Sequence, residues 1–127
     1  MKQIIFSPNA PAPVGPYSQA VIANGILYVS GQIAIEPATG AIHMGDIKKE
    51  TQQVMENMKA VLLAAGVGFE QVIKCTIFMT DMNNYAKINS VYAEYFDEKT
   101  APAREAVEVA GLPKGVNVEI SCMALVK

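Results

Sequence analysis

The sequence predicts an α+β subunit in which a mixed sheet carries two helices on one face. Three features predict it. Two strand-like runs flank Asn24-Gly25, a strong short-range hairpin signal. Residues 47–65 and 85–96 place apolar side chains at helical spacing, whereas residues 102–109 and 117–124 return to period two. The resulting order is hairpin, helix, strand, helix, strand, strand. Helices in long crossovers between strands imply βαβ-type units, whose right-handed connections bring both helices to the same side of the sheet. The other side is left without a helical cover, so a symmetric oligomer packed sheet face to sheet face is expected.

The 127 residues suit a single domain, expected over residues 1–127, with enough length to bury a core. Hydrophobic residues make up 51% and charged residues 17%, which excludes disorder. An average soluble protein carries about 25% charged residues, so part of this apolar surface is expected to pack against copies of the chain. Ten basic and twelve acidic residues give a net charge of -2 without a basic block, which disfavours nucleic acid as a partner. Residues 1–6 are too short an apolar run for a signal peptide, and no stretch approaches a membrane span. A cytoplasmic location without membrane association is expected. Cys75 and Cys122 sit in apolar strand patterns without CxxC spacing and read as buried free thiols. The single histidine, His43, lies in a turn between Gly40 and Gly45, so neither a Ser-His-Asp or Cys-His site nor a His-rich zinc site is expected.

In chain order, residues 7–16 hold four of the seven prolines and form a loop, either a brace or lid over a site or a plain surface loop. If Asn24-Gly25 forms a type I′ turn, counting back pairs Ala23 with Ile26, Val21 with Tyr28, Gln19 with Ser30 and Tyr17 with Gln32. Tyr17, Gln19, Ser30 and Gln32 then share one face, as a pocket wall or as an ordinary solvated face. Gly31 allows close approach of a ligand or a second backbone. Asp46 suits a helix N-cap, with Glu50 in the favourable field of the first turn. Ile47, Thr51, Val54, Met55, Met58, Val61, Leu62 and Ala65 form the buried stripe, and Gly66 ends it. Residues 71–80 alternate Ile73, Cys75, Ile77 and Met79 with Thr76 and Phe78, so both faces are covered and the strand is interior. Asp81 or Asn83 caps the second helix, whose Tyr85, Ile88, Tyr92, Tyr95 and Phe96 are core by default. Asn89 beside them is an amide in need of partners.

Two charges lie in the last strands. Arg104 follows Pro102-Ala103, and its planar fork suits bidentate recognition of a carboxylate. That carboxylate can belong to Glu105, Glu108 or Glu119, or to a ligand. Glu119 lies inside a strand, on the face of Asn117, Ser121, Met123 and Leu125, and needs a partner, a water or a proton there. An anchored carboxylate and an activated water suffice for metal-free hydrolysis of an activated C=N bond. A stable amide or phosphate ester would need more.

Gly15-Pro16-Tyr17-Ser18-Gln19-Ala20, Val29-Ser30-Gly31-Gln32-Ile33, Ile88-Asn89 with Val91-Tyr92, Pro102-Ala103-Arg104, Leu112-Pro113-Lys114-Gly115 and Val118-Glu119-Ile120 carry a resemblance across essentially the whole chain. The sequence resembles the reactive intermediate deaminase A family (RidA, also called YjgF). The resemblance implies a chorismate-mutase-like subunit in a homotrimer with ligand clefts between subunits. It further implies cofactor-free hydrolysis of 2-aminoacrylate and of 2-imino acids (2-iminopropanoate, 2-iminobutanoate), species released by pyridoxal-phosphate enzymes, to 2-keto acids and ammonia. Carried over residue by residue, Arg104, Glu119 and Tyr17 form the catalytic set, with Arg104 holding the carboxylate and Glu119 the attacking water. Ser30 and Asn89 line the cleft, and Gly31 and Ala106 offer backbone groups. The chain departs from the family pattern at Glu105 and Ala106, where many members have a small hydroxyl residue and a cysteine. Alternation directs Glu105 away from Arg104. These departures favour an alternative, a regulatory trimer that binds 2-keto acids without turnover. RNA cleavage or translation inhibition, attributed to some members, is opposed by the acidic balance.

Overall fold

A computed structural model describes residues 1–126 and contains one six-stranded sheet in the order β1-β2-β3-β6-β4-β5. The strands are β1 (Gln3–Ile5), β2 (Ala20–Ala23), β3 (Ile26–Gln32), β4 (Val72–Met79), β5 (Ala103–Glu108) and β6 (Val118–Leu125). Helices α1 (Ile47–Ala64) and α2 (Tyr85–Tyr92) occupy the β3–β4 and β4–β5 connections. The α+β mixed sheet with two helices is the fold class expected. Strand β6 is last in sequence yet central, antiparallel to both β3 and β4, while β4 and β5 form the parallel pair.

The hairpin follows from its turn. Asn24 and Gly25 have φ of 51° and 77°, as a type I′ turn requires. Ala23 pairs with Ile26 and Val21 with Tyr28, the register expected. The register continues with Ala20 opposite Val29 and the Ser30 N–H donating to the Gln19 carbonyl at 2.9 Å, and is lost only beyond that pair. The regular strand starts only at Ala20, and a bulge between Val29 and Gln32 re-aims the residues near Gly31, so no Tyr17–Gln32 pair forms. A second irregularity, between Val72 and Lys74, puts Val72 into the core in place of the expected Ile73, which is exposed. Strand β1 was not anticipated, being too short for any periodicity to show.

Helix α1 begins where Asp46 Oδ1 accepts from the backbone N–H of Lys48 at 2.9 Å and of Lys49 at 3.3 Å. It stops at Gly66, whose φ of 77° lets the Val67 N–H turn back to the Leu62 carbonyl at 3.0 Å. Its apolar stripe, with Val54, Met55, Met58 and Val61, buries completely against Leu27, Ile77 and Ile120 of the sheet. The methionines are core. On the opposite face, register places Tyr28 beside Met123, Thr76 beside Ser121, and Phe78 between Glu119 and Val107. No helix covers these side chains, and Tyr28 and Val107 are exposed.

Glu50 lies in the first turn of α1, as expected, and does more than suit the dipole. It is fully buried and accepts three hydrogen bonds from the start of β6: Asn117 N–H at 2.7 Å, Asn117 Nδ2 at 2.9 Å and Val118 N–H at 3.2 Å. It therefore ties α1 to the strand that carries Glu119. Glu50→Ala would strand two backbone donors, and a loss of about 3 kcal/mol in urea unfolding is expected. An unchanged midpoint would show that the tie contributes nothing.

Candidate functional site

Arg104 pairs with Cys75, which pairs with Cys122 on β6. Residues opposed across strands share a face. Both thiols are buried and free, as expected, and they lie on the helix side, so Arg104 points there too. Helix α2 receives it with Tyr85, Asn89 and Tyr92, spaced to share one face. Arg104 Nη1 donates to Asn89 Oδ1 at 2.6 Å, and Nη2 donates to the Tyr85 hydroxyl at 2.5 Å. The guanidinium carbon lies 5.0 Å from the Tyr92 ring centroid and 5.6 Å from that of Tyr85, within cation–π range. Asn89 thus finds its partner, and Tyr85, packed against the core as expected, also presents its hydroxyl to Arg104.

No carboxylate pairs with this cation among the described residues. Glu105 instead reaches Lys74 at 3.2 Å, and Glu108 accepts from the Met82 N–H at 2.7 Å. The internal ion-pair reading of Arg104 is thereby overturned. Glu105 sits opposite Thr76, on the other face, so it does not compete for Arg104. A guanidinium has five N–H donors, and three remain free of the two bonds to α2. Ala106, two residues on, shares the face of Arg104 and is half-buried. The buried Tyr92 hydroxyl has no well-formed hydrogen bond. Its polar neighbour is the Cys75 thiol, and burial, followed by that contact, pushes the hydroxyl pKa up. Beside Arg104 a cavity of about 700 Å³ opens, with Asn89, Tyr92, Ala93, Phe96 and Pro102 in its lining.

Glu119 is opposed to Phe78 and so points to the face away from the helices. Its carboxylate lies over Gly31: a β-carbon there would stand 2.1 Å from Oε2 and 2.7 Å from Cδ. Burial pushes its carboxyl above the usual carboxylate range, and no cation offsets the effect. A smaller cavity of about 90 Å³ joins Glu119 to Tyr17, Gly31, Gln32 and Lys114, with Pro11 and Val14 of the proline-rich loop in its wall. Gln19 lines the same cavity, as the alternation implied. It is buried and braces that loop, its Oε1 accepting from the Ser7 N–H at 2.6 Å and its Nε2 donating to the carbonyls of Ser7 at 3.1 Å and Pro11 at 2.9 Å. Gln32 is also buried, donating to the Ser30 carbonyl at 3.1 Å. Ser30 Oγ donates to the Ser18 carbonyl at 2.6 Å in an adjoining depression, which Tyr17 also lines.

Gly31→Ala is expected to displace the Glu119 carboxylate while leaving the hairpin folded, since Gly31 has no left-handed φ to preserve. In the reaction proposed below, kcat should fall about tenfold or more. An unaltered kcat would detach the Gly31–Glu119 contact from the chemistry.

The candidate residues therefore form two half-sites in one chain. Arg104, Asn89, Tyr85 and Ala106 lie on the helix side of the sheet, whereas Glu119 points to the other side, with Gly31 and Tyr17 around it. Strands β6 and β5 are separated by β4, about 10 Å across. No cluster of potential metal ligands occurs among the described residues, and no helix there is long and apolar enough to cross a membrane.

Residues 7–126 match the family model described as Endoribonuclease L-PSP. The chain belongs to this family, also called YjgF/RutC/Rid. A RutC family protein of Pyrococcus horikoshii is 56% identical over 98% of this chain and 98% of its own. The 2-iminobutanoate/2-iminopropanoate deaminase of Bos taurus is 42% identical, covering 98% of this chain and 90% of its own. Among solved structures, E. coli TdcF with bound serine superposes with a TM-score of 0.91 at 42% identity, covering 98% of this chain and 99% of that one. The Rid family match spans every element after β1, in agreement with the resemblance carried by the sequence motifs.

Proposed function

We propose that this Rid family member hydrolyses 2-aminoacrylate, 2-iminopropanoate and 2-iminobutanoate to 2-keto acids and ammonia, in a homotrimer with its sites between subunits. The observation that carries the proposal is Arg104: a half-buried guanidinium without an anionic partner among the described residues, presented by Asn89 and Tyr85 with three donors free of those bonds. That arrangement is made for a planar anion. A deaminase name on the bovine relative and serine bound to TdcF support a small carboxylate ligand. The intersubunit location is supported by the opposed faces of Arg104 and Glu119 and by the uncovered apolar side chains around Tyr28, Phe78 and Met123.

The enamine first takes a proton at C3 and becomes the imine. Arg104 then holds the carboxylate, helped by the backbone at Ala106. Glu119 of a neighbouring subunit accepts a proton from water as the water oxygen bonds to C2, and the C=N pair moves to nitrogen. The same carboxyl returns the proton to that nitrogen; as the C–N bond breaks and ammonia leaves, the hydroxyl at C2 gives its proton back to the Glu119 carboxylate, which passes it to solvent, and its oxygen becomes the carbonyl of the 2-keto acid. Tyr17, Ser30 and Gly31 would line the wall near C2. These steps use neither metal nor cofactor, and the reactive substrates place the work in the cytoplasm beside the pyridoxal-phosphate enzymes that release them. Because burial raises the Glu119 pKa, activity should decline as pH falls through that raised value, where the base becomes protonated.

The test is keto-acid and ammonia release from imines generated in place by a dehydratase. Release faster than spontaneous hydrolysis supports the deaminase. Tight 2-ketobutyrate binding without acceleration would replace it with the regulatory trimer, the reading that Ala106 favours.

A further inference from the structure

A further hollow lies on the helix side of the sheet and shares no lining residue with the cavities at Arg104 and Glu119. It measures about 490 Å³ and is enclosed by α1, the start of the proline-rich loop and the turn at Pro37. That volume falls within the range of roughly 300–1,000 Å³ typical of small-molecule sites. Pro8, Pro37, Ala60 and the exposed Leu63 form its apolar wall, and Glu56 and Lys59 bring one charge of each sign. These two stand three positions apart on one helix, a spacing at which opposite charges commonly pair. Among the described residues no ion pair forms between them, nor between Lys59 and any other carboxylate. Glu56 Oε2 instead accepts from the Tyr95 hydroxyl at 2.7 Å, which fixes the carboxylate and leaves Oε1 free of that bond. An open cation and an open anion side by side, with an apolar wall beyond them, match a zwitterion that carries a hydrocarbon group.

We propose that this hollow binds a free α-amino acid with an aliphatic side chain, at a site separate from Arg104. The ammonium of the amino acid meets Glu56, its carboxylate meets Lys59, and its side chain lies against Pro8, Pro37 and Leu63. A 2-keto acid brings only the anion and leaves Glu56 unmatched, so this site selects against the species that suits Arg104. Two polar tethers join the hollow to the Glu119 cavity. Asn57, buried in the wall of the hollow, donates from Nδ2 to the carbonyls of Ile33 at 3.0 Å and Ile35 at 2.8 Å, and both isoleucines line the Glu119 cavity. Ser7, in the opposite wall, is held through its backbone by Gln19, which lines that cavity too. An amino acid seated between these walls restrains both tethers and makes local opening around them rarer.

The test is calorimetric titration of the purified full-length assembly with L-leucine and with 4-methyl-2-oxopentanoate, its analogue without the ammonium, repeated on Arg104→Ala, Lys59→Glu and Ala64→Trp. Ala64 also lines the hollow, and both it and Lys59 are exposed, so the fold should tolerate either change. Wild type and Arg104→Ala should bind leucine within about threefold of each other, whereas Lys59→Glu and Ala64→Trp should each weaken it at least about tenfold. The keto analogue should bind Arg104→Ala at least about tenfold more weakly than leucine does. Saturating leucine should slow amide hydrogen exchange at residues 7–11 and 33–35. Leucine binding that disappears in Arg104→Ala, or is absent at millimolar leucine, would overturn the second site. Binding unchanged by Lys59→Glu and Ala64→Trp would overturn its placement, and equal affinity of Arg104→Ala for leucine and its keto analogue would overturn the charge selection. Leucine binding without slower exchange would remove the link to the Glu119 cavity. None of these outcomes depends on the deaminase reading, which keto-acid and ammonia release decides separately.

Discussion

Arg104→Ala is expected to raise the Kd for 2-ketobutyrate by about a hundredfold or more, measured by calorimetry, with the fold retained. Truncating one partner of a buried charge pair costs about 2–5 kcal/mol, because a fork of charge-assisted hydrogen bonds is lost together with the charge. The side chain has little structural duty. It lies on the edge strand β5, and among the described residues its guanidinium hydrogen-bonds only to Asn89 and Tyr85 and rests against the Tyr85 and Tyr92 rings. Asn89 and Tyr85 are neutral acceptors, so removing the guanidinium leaves no charge unpaired, and the thermal midpoint should move by only a few degrees. Arg104→Lys should recover charge without the planar fork, and with it no more than about a tenth of the lost affinity. Binding by Arg104→Ala within threefold of wild type would remove Arg104 from the site and take the carboxylate-anchoring scheme with it.

What the sequence showed of this site divides along a physical line. The Asn24-Gly25 turn, the Asp46 cap and the Gly66 stop depend on neighbouring residues, and each is where local chemistry puts it. Within a strand, alternation correctly turned Glu105 away from Arg104. The face of the sheet each charge occupies is a property of pairing between strands, which periodicity does not encode. Tyr85 reads as core because a helical stripe is core by default. Only the parallel register of β5 on β4, setting Arg104 beside Cys75 under α2, makes it a ligand of the guanidinium. Glu50 reads as a dipole-matched first-turn residue for the same reason, since its partners lie 67 and 68 positions away. The two bulges shift parity by one residue, and this is how Ile73 and the Tyr17–Gln32 pair were misplaced.

Glu119→Gln should lower kcat by about a hundredfold or more while leaving 2-ketobutyrate binding near the wild-type value, the reverse of the Arg104 phenotype. It should also stabilise the protein at neutral pH. Burial raises the Glu119 pKa in the folded state, so the folded state holds this proton more tightly than the unfolded chain does. Below the unfolded value, about 4.3, both states are protonated and burial carries no ionic cost. The cost grows as pH rises through the raised folded value and is complete above it. Glutamine never ionises, so its advantage over wild type should be present at pH 7 and vanish at acid pH. The two variants together decide where the site lies. If Arg104 of one subunit works with Glu119 of the next, an equimolar mixture of Arg104→Ala and Glu119→Gln chains, unfolded and reassembled, gives each interface about a one-in-four chance of two intact partners. Activity should return to about a quarter of wild type from two nearly inactive parents. If both residues act within one chain, every site in the mixture lacks one of them and no activity returns. The opposed faces of Arg104 and Glu119 across the sheet favour recovery.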